Sequence, residues 1–268
     1  WTAAYTANAS DTDGSVTYSI AFSDSAGNAG TAVTSGSGSV TFDKTVPTQT
    51  VSGVDISDDT GTSDSDFLTK TAAQTISGTL SATLAASDIL NGSVNNGSDW
   101  TNITSKVSGT GITWNGATLS GSSNILFKIT DAAGNDSNTT GGRAYVLDTM
   151  APTALLISCS ISSCLKVPLD GYATVQSSET GTAYLVKTGG AGADITVSNL
   201  ASITGALDYM WNSVPISSAS TETNLATSGL RLGTYKIYAV DAAGNLSGPS
   251  TGTGGKSGAL GSMNVEPT

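Results

Sequence analysis

Thr234–Val240 reads TYKIYAV and runs directly into Asp241–Asn245, DAAGN. The first piece is rich in aromatic and β-branched residues, which suit a strand. The second has the chemistry of a tight turn. Its glycine supplies a positive φ, while Asp and Asn tolerate left-handed geometry and hydrogen-bond the turn backbone. Together they predict the last hairpin of a β-domain.

The pairing recurs. Asp24–Asn28 reads DSAGN and Asp131–Asn135 reads DAAGN; with Asp241 these motifs start at 24, 131 and 241, so 107 and 110 residues apart. A second landmark follows each: Asp43–Thr48 (DKTVPT), Asp148–Thr153 (DTMAPT) and Asn264–Thr268 (NVEPT), with prolines at 47, 152 and 267. A period this long is too large for a solenoid unit and matches one complete sandwich domain. The segmentation is a partial repeat, the C-terminal half, at 1–47, a full repeat at 48–151 and a divergent one at 152–268. The residue before each proline is driven toward extended backbone, so these linkers are stiff.

Strand-like blocks fill the intervals: Gln74–Leu80, Gly111–Trp114, Ile125–Thr130 and Arg143–Leu147, then Tyr172–Gln176 and Thr182–Lys187. Leu84–Leu90 and Leu200–Leu207 read as short helical turns. The expected class is all-β.

Composition narrows the function. The 268 residues carry a net charge of −11 with only 10 Lys and Arg, so a nucleic-acid polyanion is repelled. Of 21 acidic residues, only Glu179, Glu222 and Glu266 are glutamates. Short carboxylates beside Gly, Asn and Ser belong to turns, and turn carboxylates can chelate hard cations. No apolar run is long enough to span a membrane, and no signal peptide is visible at Trp1; for an exported protein the targeting signal lies outside this segment.

In order and wording, Val16–Thr48 (VTYSIAFSDSAGNAG…VTFDKTVPT), Asp55–Thr69 (DISDDTGTSDSDFLT) and Thr223–Ser247 resemble the bacterial immunoglobulin-like repeats of giant RTX-type and biofilm-associated surface adhesins. The resemblance implies tandem immunoglobulin-like β-sandwich domains in an elongated array, at the bacterial cell surface or outside it. It implies little about a ligand. The third repeat departs from the pattern, lacking the acidic opening loop and carrying Glu266 where the other linkers have Asp.

In such a sandwich the loop after the first strand lies at the exit end and the last hairpin at the entry end. Asp58, Asp59, Asp64 and Asp66 are then expected near Asp148, with Asp241 and Asn245 facing the same junction, and Ca2+ bound between them. By the same logic Asp43 meets Asp131 and Asn135. Ordinary turn formation accounts for these aspartates without an ion, but four carboxylates within nine residues repel one another. Cys159 and Cys164, the only cysteines, are spaced to close a hairpin disulfide contributing about 2 kcal/mol. The exported reading favours that bond over a reduced buried pair. Zinc lacks ligands, because the chain has no histidine and no other thiol.

The missing histidine also removes Ser-His and Cys-His catalysis. No glycine-rich phosphate loop ends in Lys-Ser/Thr. Paired aspartates suit glycoside cleavage, but here they sit in Gly/Ser/Thr loops without an aromatic groove. Trp1, Trp100, Trp114 and Trp211 read as core anchors. The expectation is a non-enzymatic spacer whose partners are neighbouring repeats of the chain and a host or biofilm surface. The alternative is a subunit of an extracellular filament, sheath or surface layer. In that case identical neighbours complete residues 1–47, which are too few to bury a core, by strand addition. A glycan-binding module built on loops of the third repeat is the remaining reading.

Overall fold

The computed structural model describes residues 4–159, 167–251 and 261–267. Strands make up 42% of the described residues and helix 4%, so the fold is all-β, as the turn-punctuated blocks predict. Contacts divide it into two compact units, one of residues 1–55, 75–117 and 124–143, the other of 56–74, 118–123 and 144–268. Among the described residues no helix is long and apolar enough to cross a membrane.

The chain begins with a lone hairpin. β1 (Gly14–Ser15) pairs antiparallel with β2 (Thr41–Phe42), and the ribbon continues through Val16 N–H to Val40 O at 2.8 Å and through bridges Ile20–Val33 and Ser23–Ala29. The DSAGN turn closes it, with Gly27 at φ 87°. Large apolar and small residues alternate along Val16–Ser23, giving one oily face and one of Thr17, Ser19, Ala21 and Ser23.

Nine strands follow: β3 (Val51–Ile56), β4 (Leu68–Thr69), β5 (Ala73–Leu80), β6 (Ile89–Ser93), β7 (Thr101–Asn102), β8 (Val107–Ser108), β9 (Gly111–Thr118), β10 (Ser123–Thr130) and β11 (Thr140–Leu147). They form two sheets, in the orders β3-β5-β9-β8 and β4-β11-β10-β6-β7. Period-2 alternation buries one row from each strand: Ile76 and Leu80 of β5, Ile112 and Trp114 of β9, Ile125, Phe127 and Ile129 of β10. Trp114 meets Phe127 edge-on, 6.3 Å between centroids and 73° between planes, so facing strands share a core. The Leu84–Leu90 stretch is a turn closed by Asp88 N–H on Ala85 O, leading into β6 instead of a helix.

The third stretch carries β12 (Ala154–Cys159), β13 (Val167–Pro168), β14 (Tyr172–Ser177), β15 (Gly181–Gly189), α1 (Leu200–Thr204), β16 (Trp211–Ile216), β17 (Thr223–Ala226), β18 (Gly233–Asp241) and β19 (Met263–Glu266). Its sheets run β12-β14-β17 and β13-β19-β18-β15-β16. With each strand placed by its role, these orders match those of β3-β5-β9 and β4-β11-β10-β6-β7. In both, the piece of chain after the first strand crosses to pair parallel with the last: Leu68 and Thr69 oppose Val146 and Leu147, and Val167 and Pro168 oppose Val265 and Glu266. Leu156, Val175 and Leu225 from one sheet and Leu185, Tyr235 and Ile237 from the other are fully buried in one cluster. Each contributes about 1.5–3 kcal/mol relative to exposure.

β15 and β18 are buried on both faces, which is why TAYLVK and YKIYAV do not alternate cleanly. Residues 195–211 fold over their outer side, where Ile195, Ile203 and Met210 pack on Tyr184, Val186 and Tyr238. The single turn α1 is stabilised by a capping box between Asn199 and Ser202. At the entry to β18 the Tyr235 hydroxyl donates to Arg231 O at 2.7 Å, and burial pushes its pKa up to about 12.

Candidate metal centre

The site is assembled by one turn, one linker and one loop. β18 ends in Asp241, whose Oδ1 accepts Asn245 N–H at 2.8 Å and whose Oδ2 accepts the Asn245 side-chain amide at 2.9 Å. The motif is thus a self-satisfied Asx-type turn. The same amide also donates to Asp148 O at 2.9 Å, which holds the linker after β11 against the turn. The linker is further fixed by Asp148 N–H on Thr69 O, and Asp148 Oδ1 accepts Met150 N–H at 3.0 Å.

Glu179, in the loop between β14 and β15, completes the group. One carboxylate oxygen each from Asp148, Glu179 and Asp241 lies within 4.8 Å of the other two. This is the only such acidic group among the described residues. Asp241 is buried and the other two are half-buried. Loss of water raises the Glu179 pKa, and the charges of Asp148 and Asp241 raise it further. Oxygens sharing a Ca2+ at about 2.3–2.6 Å stand no more than roughly 5 Å apart, so the spacing fits that ion. Three carboxylates supply part of a coordination shell of six to eight oxygens, and carbonyls or water must provide the rest.

The first linker repeats the frame without the third acid. Asn135 donates to Asp131 Oδ2 at 2.9 Å and to Asp43 O at 3.1 Å, and Asp43 Oδ1 accepts Thr45 N–H at 3.0 Å. The Asn135 amide is the main reason Asp131 lies below the usual carboxylate range. The position of Glu179 can be matched through a recurring reciprocal pair. Ser178 N–H donates to Thr153 O and Thr153 N–H to Ser178 Oγ; Ser81 and Thr50 make the same two bonds. The residue after Ser81 is Ala82. No third carboxylate stands there.

The acidic loop makes different contacts. Asp58, Asp64 and Asp66 are exposed and Asp59 is half-buried; none joins the group at Asp148. Asp59 Oδ2 accepts Phe67 N–H at 2.8 Å and Asp66 Oδ1 accepts Leu68 N–H at 3.0 Å, so two of the four carboxylates order their own loop. The loop reaches the DAAGN turn through other groups: Thr60 Oγ1 donates to Ala243 O at 2.6 Å and Lys70 Nζ to Gly244 O at 2.5 Å. Gly61, at φ 104°, lies so close to the Ala242 carbonyl that any Cβ collides. Cys164, and with it the proposed Cys159–Cys164 bond, falls outside the described residues, as does Trp1.

Glu179 is the functional candidate that sequence reading passes over. Its signal is faint: one of three glutamates, in a short loop between two legible strands. Neither the protein-family models nor the curated proteins yield a match to this chain, which leaves the site geometry to carry the functional argument.

Proposed function

We propose that this chain is a run of immunoglobulin-like sandwich repeats that act as spacers in a large bacterial surface adhesin, outside the cell, with a mechanical and not a catalytic role. Ca2+ held by Asp148, Glu179 and Asp241 stiffens the connection at the second linker. The observation that carries this is the repeated tie from a DAAGN asparagine to the carbonyl of the linker aspartate, seen at Asn245–Asp148 and Asn135–Asp43. A device that recurs at both linkers suits a protein whose task is to hold successive beads in line. Two pairs of sheets in one strand order, and a tyrosine hydroxyl bonded to the backbone just upstream of its strand, support the immunoglobulin-like assignment.

The test is limited proteolysis of the full chain with Ca2+ and with a chelator. Cleavage within 148–153 is expected to accelerate on chelation while the repeats stay folded. An identical cleavage pattern in both conditions removes the cation from the reading. The filament or sheath alternative draws on a separate observation, the bare apolar face of the first hairpin.

A further inference from the structure

Counted back from the turn aspartate, Tyr18, Ile20 and Phe22 hold the places of Ile125, Phe127 and Ile129 in β10 and of Tyr235, Ile237 and Ala239 in β18. Those six are at most 1% exposed; Tyr18, Ile20 and Phe22 are 44%, 51% and 55% exposed. Val33 bridges Ile20, and Val40 lies opposite Val16 in the register of β1 and β2, so both add to the apolar face. The Tyr18 hydroxyl reaches to Gly36, and the Phe22 ring lies over Gly30 so closely that a Cβ there collides. Phe127 covers Gly141 in the same way. The first hairpin is therefore built as a core layer, with Gly30 under Phe22 as Gly141 lies under Phe127. Contiguous apolar faces of this kind mark interaction surfaces.

The chain itself shows what such a layer takes. Phe127 is met by Trp114 of β9, and Tyr235 and Ile237 by Leu156, Val175 and Leu225 of β12, β14 and β17. In each case the covering strands come from the stretch directly upstream; β9 ends at Thr118 and β10 begins at Ser123. We propose that the hairpin's apolar face docks the facing sheet of a repeat of this same type, carried on the polypeptide immediately ahead of it as the counterpart of residues 48–122. What is missing is the opposing layer together with the counterparts of β4, β6 and β7, which flank β10 and β11 in their own sheet. This rests on the repeat reading and is independent of the cation.

The experiment grafts residues 48–122 directly ahead of Val16 in the otherwise full-length chain and follows amide hydrogen exchange in chelator, so that failure of the calcium reading has no bearing on it. In the ungrafted chain residues 16–42 are expected to exchange as freely as an open loop. In the graft they are expected to slow by roughly 100-fold, with I20D in the graft restoring fast exchange. A second graft, of residues 154–232, guards against misfolding of the first. Two grafts that leave the hairpin unprotected while β10 and β18 stay protected overturn the proposal. So does an ungrafted chain whose hairpin is already protected and which sediments as a dimer, since a second copy then covers the face.

Discussion

The side-chain amide of Asn245 bonds both the carboxylate of Asp241 and the carbonyl of Asp148, each at 2.9 Å. One group therefore closes a turn and fastens the linker that lies over it. Asn135 does the same with Asp131 and Asp43. The two sites differ in burial, with Asp241 enclosed and Asp131 half-exposed. That difference sets how much stability each asparagine contributes.

Replacing Asn245 by Ala removes both donations and leaves a buried carboxylate short of partners. N245A is expected to lose about 2 kcal/mol, and N135A about half of that, because water replaces the lost bonds at the more open site. Urea denaturation of each variant checks the ranking.

Glu179 separates the two linkers chemically. Calorimetric titration with calcium chloride is expected to show binding that E179Q and D241N each weaken at least about tenfold, roughly 1.4 kcal/mol. Ala82 stands where Glu179 does, so A82E is expected to add a second, weaker calcium equivalent beside Asp43 and Asp131. Unchanged stoichiometry in A82E refutes the equivalence of the two frames.

The raised pKa of Glu179 has a definite sign. A carboxyl that holds its proton more tightly folded than unfolded contributes stability below its unfolded pKa, near about 4.3, and loses it as pH climbs through the folded value. In chelator E179Q is therefore expected to match the parent at acid pH and exceed it near neutrality. Calcium reverses the order at neutral pH. Thermal melts at a series of pH values, with and without the ion, read out both effects.

Tyr235 anchors the entry to β18 through Arg231 O. Y235F is expected to cost about 1 kcal/mol. Spectrophotometric titration of the parent is expected to show one phenol ionising only at about 12, and Y235F to lack it.

The DxAGN turns and the strands before them are legible in the sequence because local rules write them: alternation, then a glycine where φ turns positive. β18, β10 and β5 follow from their own residues in this way. β12 and β16 are not legible. Ala154–Cys159 is a short apolar run that fits helix or strand, and Trp211–Ile216 contains a proline; both owe their conformation to partners, β14 and β15. The outer cover over Tyr184 and Tyr238 is hidden for the same reason. In the acidic loop, counting charges points to a cation, whereas the Asp59 and Asp66 carboxylates cap loop backbone and Thr60, Gly61 and Lys70 make the contacts with the turn. Glu179 meets Asp148 and Asp241 only once three distant segments have folded, and no local pattern reports that.

The parallel pairing of β4 with β11 and of β13 with β19 has a consequence under tension. Strands lying side by side in the same direction, one near the start of a repeat and one near its finish, are dragged in opposite senses when the ends are drawn apart. Their hydrogen bonds then bear the load together, in shear, instead of peeling open one after another. A sandwich clamped this way opens only when those rungs fail at once, and not one by one.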